Sequence, residues 1–498
     1  MDESAPLLGT EARSCSIATA HDEEFPELDR VASVKFDPNG DPDCPYDWPK
    51  AYKYGVVALL SFMSFTTTFT CVGIVPIAPH IVRDLEGRHD KSASVLLVTI
   101  WELGEAAGPL LIAPLSESFG RYPIYNASNI LFIIGTIIVA MSRNIELLIF
   151  ARFLTGLSVA SNVLNPSVIG DIFQPEHRGS AISCVFLTTL LGGAIGPAVG
   201  ASIAQVADWR LVVLIAAVIA SACELTFLFF FRETYSVLIL QKRALRQEHN
   251  DSVAANKLVK TITGTEVEGS TNAIWQAIKR PARVFLDSFV LQIMAWYGSI
   301  GFTFFYIMST SLPDILQDCF GLDEAQTGLS FMTFSFGSIT GILVCNLAVD
   351  RIYLMLRKAN NGRAQPEHRL PLVIVGACLL PIAIALYGWI AECRWSLSAM
   401  LFTVIFMGFS LLIGVVPLMA YIVDAFGLFS ASATTAVLVV RCLMGTFLPL
   451  AVGPLVEKLR YGWAFTVLAG IVLAVAPIPI LVMKYGTVWR QRSSYSRN

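Results

Sequence analysis

The sequence predicts an all-α membrane protein with twelve transmembrane helices arranged as two six-helix bundles. Of its 498 residues, 55% are hydrophobic and only 15% are charged, and the mean hydropathy is +0.62. A soluble domain carries about 25% charged residues, so this composition excludes that class. Twelve apolar segments are long enough to cross a bilayer. A polar stretch near the middle of the chain separates them into six and six.

The twelve predicted spans are numbered 1 to 12 along the chain. Each is an apolar run of about 20 residues, which is the length that crosses the hydrocarbon core. The predicted starts lie near Tyr54, Ser94, Ile124, Leu147, Ala181 and Leu211 in the first half, and near Phe289, Leu329, Leu370, Met400, Ala433 and Trp463 in the second.

Composition also divides the chain into regions. The first 52 residues hold twelve acids and four Lys or Arg, a mixture that cannot bury a core and predicts disorder. The expected regions are a disordered, acidic, cytoplasmic tail over 1–52, an N-terminal bundle over 53–231, a cytoplasmic linker over 232–288, a C-terminal bundle over 289–484 and a cytoplasmic tail over 485–498.

Basic residues predict the orientation in the membrane. With both termini in the cytoplasm, 25 of the 35 Lys and Arg residues lie inside, 8 lie outside, and 2 lie within spans. Because short cytoplasmic loops carry an excess of Lys and Arg, the count favours this topology. The net charge of −3 argues against a nucleic-acid partner.

Weak internal symmetry relates the two halves. Gly196-Pro197 in span 5 corresponds to Gly453-Pro454 in span 11, and Glu117 at the inner end of span 2 corresponds to Asp350 at the inner end of span 8. Matching features at an offset of six spans are typical of the parallel repeats found in transporters.

Acids within the spans are candidates for function, because ionisable groups are costly in a membrane. Glu102 and Glu105 lie three residues apart in span 2 and so share one helix face. Two carboxylates held together away from water oppose each other's ionisation, which predicts a proton carrier; the alternative is a structural pair bonded to Arg441 or Arg152. Glu105 is the first choice because it lies nearer the centre. For Glu224 in span 6 a structural role is preferred.

Other polar and aromatic residues are candidates for lining a cavity. Arg441 could serve as a counter-ion for an acid or an anionic substrate, and Arg152 could be an ion partner that pairs helices. Asn162 and Asn165 in span 4 could line a cavity or hydrogen-bond to a neighbouring helix. Span 7 carries six aromatic residues that could stack on flat or cationic ligands, although at least half must face lipid or pack. They are Trp296, Tyr297, Phe302, Phe304, Phe305 and Tyr306.

Span 5 contains a motif that resembles a known family. Gly192, Gly196 and Gly200 fall on one helix face and let another backbone approach closely, while Pro197 bends the helix. The pattern resembles the antiporter motif of the major facilitator superfamily, in which two halves rock against each other. The glycine that this motif carries nine residues before Gly192 is Ser183 here. Arg152 with Gly156 resembles the family's fourth-span motif, whose arginine is associated there with proton coupling.

The loop after span 2 strengthens the resemblance. The segment from Ala113 to Tyr122 resembles the signature loop of the superfamily: Leu115, Gly120 and Arg121 match, and Glu117 replaces an Asp. An acid and a base on a tight turn can hold the halves together by charge pairs that break on rocking. The second-half counterpart is only Asp350-Arg351.

Four further stretches resemble the fungal twelve-span drug:proton antiporters, over about residues 37–490. The stretches are 41–49 (DPDCPYDWP), 232–235 (RETY), 366–371 (PEHRLP) and 461–464 (YGWA).

The resemblance implies a secondary transporter that exports small amphipathic organic compounds in exchange for protons. Uptake or symport of a polar solute is the alternative, and a membrane receptor or scaffold is a less favoured one. The sequence contains no nucleophile–base pair, phosphate-binding loop or Cys/His cluster, so neither an enzyme nor a metal or cofactor site is expected. The expected partners are a small-molecule substrate, protons and the bilayer, with the chain acting as a monomer. The plasma membrane is preferred, although an acidic dileucine pattern over 3–8 leaves the vacuolar membrane open.

Overall fold

The structure is a computed structural model that describes residues 36–37, 41–87, 90–250, 275, 278–360 and 365–496. Within these ranges the regular elements are helices and no strand is present. The disorder predicted for the tail falls mainly on 1–35 and 38–40, and the dileucine pattern falls on 3–8. Both lie outside the described residues.

The first half consists of spans 1 to 6. Span 1 is interrupted by a 3-10 turn at Val75–Ile77, and span 4 is interrupted at residues 158–160. The helices are Lys50–Val72 and Ala78–Glu86 (span 1), Lys91–Phe119 (span 2), Arg121–Met141 (span 3), Ile145–Leu157 and Ser161–Ile172 (span 4), Pro175–Val206 (span 5) and Trp209–Phe230 (span 6).

The second half follows a linker that contains the helix Ser236–Asn250. Its helices are Phe289–Phe320 (span 7), Glu324–Ala359 (span 8), Pro371–Glu392 (span 9), Leu397–Phe426 (span 10), Ser430–Phe447 continuing into Val452–Val475 (span 11 and the start of span 12), and Ile478–Arg490 (the end of span 12).

Ten helical stretches among the described residues are long and apolar enough to cross a membrane, and two of the twelve predicted spans need explanation. Span 4 is not among the ten because its break leaves two short helices. The last stretch, Ser430–Arg490, has 61 residues and contains both span 11 and span 12. The chain turns between them at Arg460, where φ of 60° and ψ of 173° are not helical. Ten stretches therefore correspond to twelve crossings.

The helix starts lie within a few residues of the predicted ones, and polar side chains explain several of them. Asp90 caps span 2, Asp208 caps span 6, and Asp323 forms a reciprocal capping box with Gln326 at span 8. Each cap satisfies backbone N–H groups that lack a partner in the first turn.

The two halves pack their spans in the same order. In the first half span 1 packs on 5, span 2 on 4, and span 3 on 6; in the second half span 7 packs on 11, span 8 on 10, and span 9 on 12. Between the halves, span 2 packs on span 11 and span 5 on span 8. These two contacts exchange when the halves are exchanged, which is what the repeat inferred from sequence requires.

The chain ends define two sides of the molecule. Each half has six spans, so the N-terminal segment, the linker and the C-terminal tail lie on one side, here called the termini side; the opposite side is the far side. Residues 41–48 fall in the region predicted to be disordered. They include a short 3-10 helix, Pro45–Asp47, and Tyr46 donates a hydrogen bond to the Gly170 carbonyl at 3.1 Å. On this side Arg121 contacts Asp171 within the first half, at 3.3 Å.

Candidate functional site

The crossing of spans 2 and 4 fixes how span 2 is rotated. The two backbones touch where glycines meet: a Cβ at Gly104 would lie 2.3 Å from the Phe153 carbonyl oxygen, and one at Gly156 would lie 2.2 Å from that of Trp101. Larger side chains would force the helices apart. With this face of span 2 held against span 4, Glu102 and Glu105 lie on the face that meets the second half.

Glu102 is bonded across the two halves. It is 1% exposed, and its Oε1 accepts a hydrogen bond of 2.5 Å from the hydroxyl of Tyr306 in span 7. Its other oxygen, Oε2, is buried and has no hydrogen-bond partner among the described residues. Gly445 of span 11 leaves room here, because a Cβ at that position would lie 3.1 Å from the Tyr306 ring.

Glu105 makes the second bond between the halves. Its Oε1 lies 3.0 Å from Nη2 of Arg441 in span 11. The Arg441 guanidinium lies over the Phe302 ring, 4.4 Å from its centroid, and its buried Nε has no hydrogen-bond partner among the described residues. The predicted pairing of the span 2 acids with Arg441 is therefore present for Glu105.

These four residues form what is called here the central cluster: Glu102, Glu105, Tyr306 and Arg441. With both acids ionised the cluster carries one negative charge in excess, and with one acid protonated it is neutral. A buried carboxylate without full compensation is costly. Protonation of one acid therefore removes the excess negative charge of this cluster.

Arg152 lies nearby but is bonded differently. It is 1% exposed and donates hydrogen bonds to the carbonyls of Thr70 at 3.2 Å and Cys71 at 2.9 Å, both in span 1. Its guanidinium lies 4.7 Å from the centroid of the Trp101 ring. Its Nε also donates to the Leu97 carbonyl of span 2 at 3.5 Å, so within the described part of the chain its partners are first-half groups rather than a carboxylate.

The remaining candidates lie outside the central cluster. Asn165 accepts a hydrogen bond from Tyr125 and donates one to Ser64, each at 2.7 Å, so it joins spans 1, 3 and 4. Tyr297 is buried against spans 9 and 10 and donates to the Val373 carbonyl at 3.3 Å. Helix Ser161–Ile172 includes Asn162, but the side chain of that residue lies outside the description.

The aromatic residues of span 7 differ in their surroundings. Trp296 is half exposed on the outside of the helix. Phe302, Phe305 and Tyr306 instead form one group with Phe334 of span 8, with neighbouring ring centroids 5.0 to 6.0 Å apart. This group adjoins Arg441, so an aromatic wall flanks the charged centre.

The glycine stripe of span 5 packs within the first half. A Cβ at Gly192 would lie 2.6 Å from the Phe65 carbonyl oxygen, and one at Gly200 would lie 2.2 Å from that of Gly73. The neighbour of this stripe is therefore span 1. The second half touches span 5 on another face, where a Cβ at Gly328 would lie 2.4 Å from the Pro197 carbonyl oxygen and 2.5 Å from the Ala201 Cβ.

The loop after span 2 is held by Asp171 of the first half and by Glu233 at the start of the linker. Gly120 has φ of 103°, and Glu233 accepts hydrogen bonds from the backbone N–H of Arg121 at 2.9 Å and of Tyr122 at 3.2 Å. Arg121 also donates to Ser116 at 2.6 Å and contacts Asp171. Leu115 and Glu117 lie in the last turns of span 2.

At the corresponding second-half position, within the helix Glu324–Ala359, Arg351 is exposed, and the side chain of Asp350 lies outside the description. The predicted charge pairs between halves at this loop stay a prediction.

Comparison with known proteins identifies the family. Residues 57–449 match the Major Facilitator Superfamily. The chain belongs to this superfamily. Efflux pump radE of Floropilus chiversii is 31% identical over 490 residues, covering 97% of this chain and 90% of that protein. MFS transporter cpaT of Aspergillus oryzae is 29% identical and covers 97% and 98%. MFS-type transporter MFS19 of Alternaria alternata is 31% identical and covers 98% and 97%.

Solved structures of the superfamily share the fold. The xylose transporter XylE from E. coli, in a partially occluded inward-open conformation, has a TM-score of 0.64 at 14% identity and covers 88% of this chain and 98% of that one. The human organic anion transporter MFSD10 has a TM-score of 0.60 at 16% identity and covers 87% and 100%. The all-α major facilitator fold predicted from the sequence is confirmed. This chain is a multi-pass membrane transporter and not an enzyme. The relatives named above are transporters too.

Sequence reasoning missed three residues that the superfamily fold brings into these contacts. Gly328 forms the contact between halves at span 5, and Asp171 and Glu233 hold the loop after span 2. A signal existed for Glu233, because it lies in the RETY stretch after span 6 that had indicated the antiporter branch. For Gly328 and Asp171 no spacing in the sequence pointed to their partners.

Proposed function

We propose that this transporter exports small amphipathic organic compounds in exchange for protons, and that Glu102 carries the proton. The observation that carries the proposal is the central cluster: two acids of one half, each bonded to a residue of the other half. Any rocking of the halves must break these bonds, so the charge on the acids and the conformation of the protein are coupled.

Glu102 is preferred over Glu105, which reverses the order expected from sequence. Glu105 has a fixed cation, Arg441, at 3.0 Å. Glu102 has a neutral hydroxyl on one oxygen, while the other oxygen is buried without a donor among the described residues. A proton on Glu102 removes the charge that has no cation in direct contact, whereas a proton on Glu105 would break its direct ion pair with Arg441.

Arg441 and Tyr306 then have supporting roles. Arg441 pairs with Glu105 and stacks on Phe302, and protonation of Glu102 then leaves the cluster neutral. Release of the proton leaves a negative charge that must be hydrated or balanced. Opening of the two halves to water on one side would hydrate this charge. Release on that side would therefore favour separation of Tyr306 from Glu102.

The substrate class rests on the aromatic wall and on the relatives. Rings of spans 7 and 8 adjoin the charged centre, which suits flat amphipathic molecules. The relative radE is named an efflux pump, which supports export. We place the protein in the plasma membrane with both termini in the cytoplasm and the vacuolar membrane as the alternative. The side chains of Glu102 and Tyr306 then meet in a state closed towards the outside.

The test is transport in proteoliposomes under an imposed pH gradient. The probe is a compound to which a strain lacking the gene becomes sensitive and which that strain accumulates. Vesicles that are acidic inside should concentrate the compound, because protons leave as it enters. The variant Glu102→Gln keeps the shape of the protonated acid, so it should exchange compound across the membrane but lose uphill accumulation.

The matched control is Glu224→Gln. Glu224 is also buried, but it accepts a hydrogen bond of 2.6 Å from Asn129 within the first half. This variant should still concentrate the compound. Accumulation in vesicles that are alkaline inside would indicate symport instead, and uphill transport by Glu102→Gln would remove Glu102 from the mechanism.

A further inference from the structure

A short segment after span 12 folds back onto the second half. The last helix of span 12 ends at Arg490, and residues 491–496, here called the tail segment, follow it as turns and a bend. Ser493 and Ser496 are buried, whereas Ser494 is exposed. The tail segment therefore packs against the protein on the termini side and leaves one of its serines open to solvent.

An anchor of the tail segment is Asp287, the last residue of the linker helix that leads into span 7. One oxygen of this carboxylate, Oδ2, accepts three hydrogen bonds from two neighbouring serines. Ser493 donates its hydroxyl at 2.7 Å, and Ser494 donates its backbone N–H at 2.9 Å and its hydroxyl at 3.0 Å. Each bond depends on a donor hydrogen that faces the negative carboxylate.

Two further contacts tie the same region to turns of the second half. Arg490 lies 3.4 Å from the carboxylate of Glu367, in the turn before span 9, and its carbonyl accepts a hydrogen bond from the hydroxyl of Ser496 at 2.8 Å. Tyr495 packs edge-on against Phe429, in the turn between spans 10 and 11, with ring centroids 5.0 Å apart. The tail segment thus joins the end of the linker to two turns on the termini side.

Arginines surround the two serines that bind Asp287. The sequence over 490–497 is RQRSSYSR, so Ser493 follows arginines at one and three positions, and Ser494 follows arginines at two and four positions. Protein kinases recognise their substrates partly by the charge pattern around the acceptor residue, and one class of them selects serines that follow arginines. The pattern and the exposed hydroxyl of Ser494 together meet the needs of such a kinase.

We propose that Ser493 and Ser494 form a phosphorylation site for an arginine-selecting protein kinase, and that a phosphate there releases the tail segment from Asp287. The γ-phosphoryl group of ATP is transferred to the serine Oγ: the bond between the γ-phosphorus and the β–γ bridging oxygen breaks, ADP leaves, and the hydroxyl proton is released. Ser494 is the first acceptor because its hydroxyl is exposed. The proposal rests on the topology proposed above, in which the termini side faces cytoplasmic ATP, and not on the coupling ion.

Release follows from the charges that a phosphate on Ser494 would meet. Phosphorylation removes the hydroxyl hydrogen donated to Asp287 and puts a charge of about −1.5 to −2 beside that carboxylate. The tail segment also follows the C-terminus of the helix Ile478–Arg490, where the helix dipole disfavours negative charge. The cation of the same linker helix, Arg280, is stacked on Phe429 at 5.1 Å. Repulsion should therefore free the end of the linker from the turns of the second half.

The first experiment measures amide hydrogen exchange of residues 491–496 by mass spectrometry, with the full chain in nanodiscs. Ser494→Asp should raise the exchange rate by about two- to fivefold, as expected for charges near the surface. The matched control is Ser494→Asn, which has the same size without the charge and should exchange at nearly the wild-type rate. In an Asp287→Asn background the effect of Ser494→Asp should shrink, because the opposing carboxylate is gone.

The second experiment adds the phosphate itself. The purified protein is treated with Mg-ATP and the catalytic subunit of cyclic-AMP-dependent protein kinase, which selects serines after arginines. Mass spectrometry should locate phosphate on Ser494 or Ser493 and not on Ser496, and the phosphorylated protein should exchange faster than Ser494→Asp, because the phosphate carries nearly twice the charge.

The outcomes separate the site from its effect. Absence of phosphate from both serines would overturn the site. Exchange of the phosphorylated protein at the wild-type rate or more slowly would overturn the release, since the phosphate would then be held by nearby cations such as Arg280. An equal increase in Ser494→Asn would show that loss of the hydroxyl, and not charge, loosens the segment.

Discussion

Two arginines within the membrane spans, one in each half, have the same kind of stacking but different acceptors. Arg152 of span 4 lies over Trp101 at 4.7 Å, and Arg441 of span 11 lies over Phe302 at 4.4 Å. Arg152 donates to backbone carbonyls of its own half. Arg441 donates to the carboxylate of Glu105 in the other half.

Under the proposed mechanism, the difference separates a structural charge from a coupling charge. A backbone carbonyl cannot take up a proton, and the carbonyls that bind Arg152 move with it when its half moves as a unit. A carboxylate can change its charge, and Glu105 belongs to the half that moves relative to Arg441. Arg441 is therefore placed to respond to both protonation and rocking, whereas Arg152 is placed to hold spans 1, 2 and 4 together. The resemblance to the fourth-span motif had implied proton coupling for Arg152.

The largest expected effect is that of Arg441→Gln. Removal of one partner from a buried ion pair costs about 3–5 kcal/mol, because the remaining charge is unpaired. The closed arrangement should lose this amount, and proton-driven transport should fall by at least about a hundredfold. The measurement is initial uphill transport in proteoliposomes at equal protein density.

A second variant sharpens this prediction. The double variant Arg441→Gln with Glu105→Gln removes both charges, so thermal stability should recover while uphill transport stays low. Full transport in the double variant would indicate that the pair is structural, like Arg152, and the comparison of the two arginines would then fail.

Arg152→Lys should act on stability rather than on coupling. A lysine ammonium cannot reproduce the planar fork that reaches Thr70 and Cys71 while stacking on Trp101. Loss of one hydrogen bond from a buried charge costs about 2–3 kcal/mol, which should lower the thermal unfolding temperature of the purified protein. The fraction that stays folded should keep the same number of protons per substrate molecule. A stable Arg152→Lys protein that exchanges but no longer concentrates substrate would assign coupling to Arg152.

Gly328→Ala applies the same comparison to backbone packing. A contact between the halves should affect transport, whereas a contact within one half should affect folding. A Cβ at Gly328 would lie 2.4 Å from the Pro197 carbonyl oxygen of the other half. Such overpacking costs about 1–3 kcal/mol, and here the cost falls only on the closed far side. Transport should fall several-fold while the amount of folded protein stays normal.

Two glycine variants serve as references for Gly328→Ala. Gly453→Ala, where no atom lies within 4 Å of the added Cβ, should behave like the wild type. Gly196→Leu should instead lower the folded amount, because the stripe packs on span 1 of the same half. Full abundance of Gly196→Leu without transport would restore the rocking role first expected for that stripe.

Much of the fold could be predicted because it depends on local composition. A run of about 20 apolar residues must be helical in a bilayer, whatever its neighbours are, and the helix starts fall where polar caps such as Asp90 and Asp323 occur. The order of the spans and the repeat followed from the same runs. The chain turn at Arg460 was also anticipated as a division between spans 11 and 12, although the residue that makes it was not.

The site could be predicted only as a set of candidates. Ionisable residues in apolar runs stand out, so Glu102, Glu105 and Arg441 were found. Their partners depend on helix rotation and on contacts between residues more than 200 positions apart, such as Tyr306 with Glu102. The choice between the two acids depended on which oxygen lacks a donor, which no sequence pattern contains.

The smallest expected effect concerns Asp41, which joins the N-terminal segment to the linker helix through Arg243. Burial alone would raise the pKa of Asp41, but hydrogen bonds from Arg243 and from the backbone of Asp43 and Asp37 outweigh it, so the pKa lies below its usual 3.8. A lowered pKa means that the contact stabilises the folded protein above about pH 4 and is lost as the pH falls through the folded-state value.

Asp41→Asn should therefore lower the unfolding temperature slightly at pH 7, by the equivalent of at most about 1 kcal/mol, because Arg243 is partly exposed. The wild type and the variant should converge at about pH 3, and substrate transport should be unaffected at pH 7. A difference in unfolding temperature that persists at pH 3 would mean that the segment is held by Tyr46 and its neighbours rather than by this charge pair.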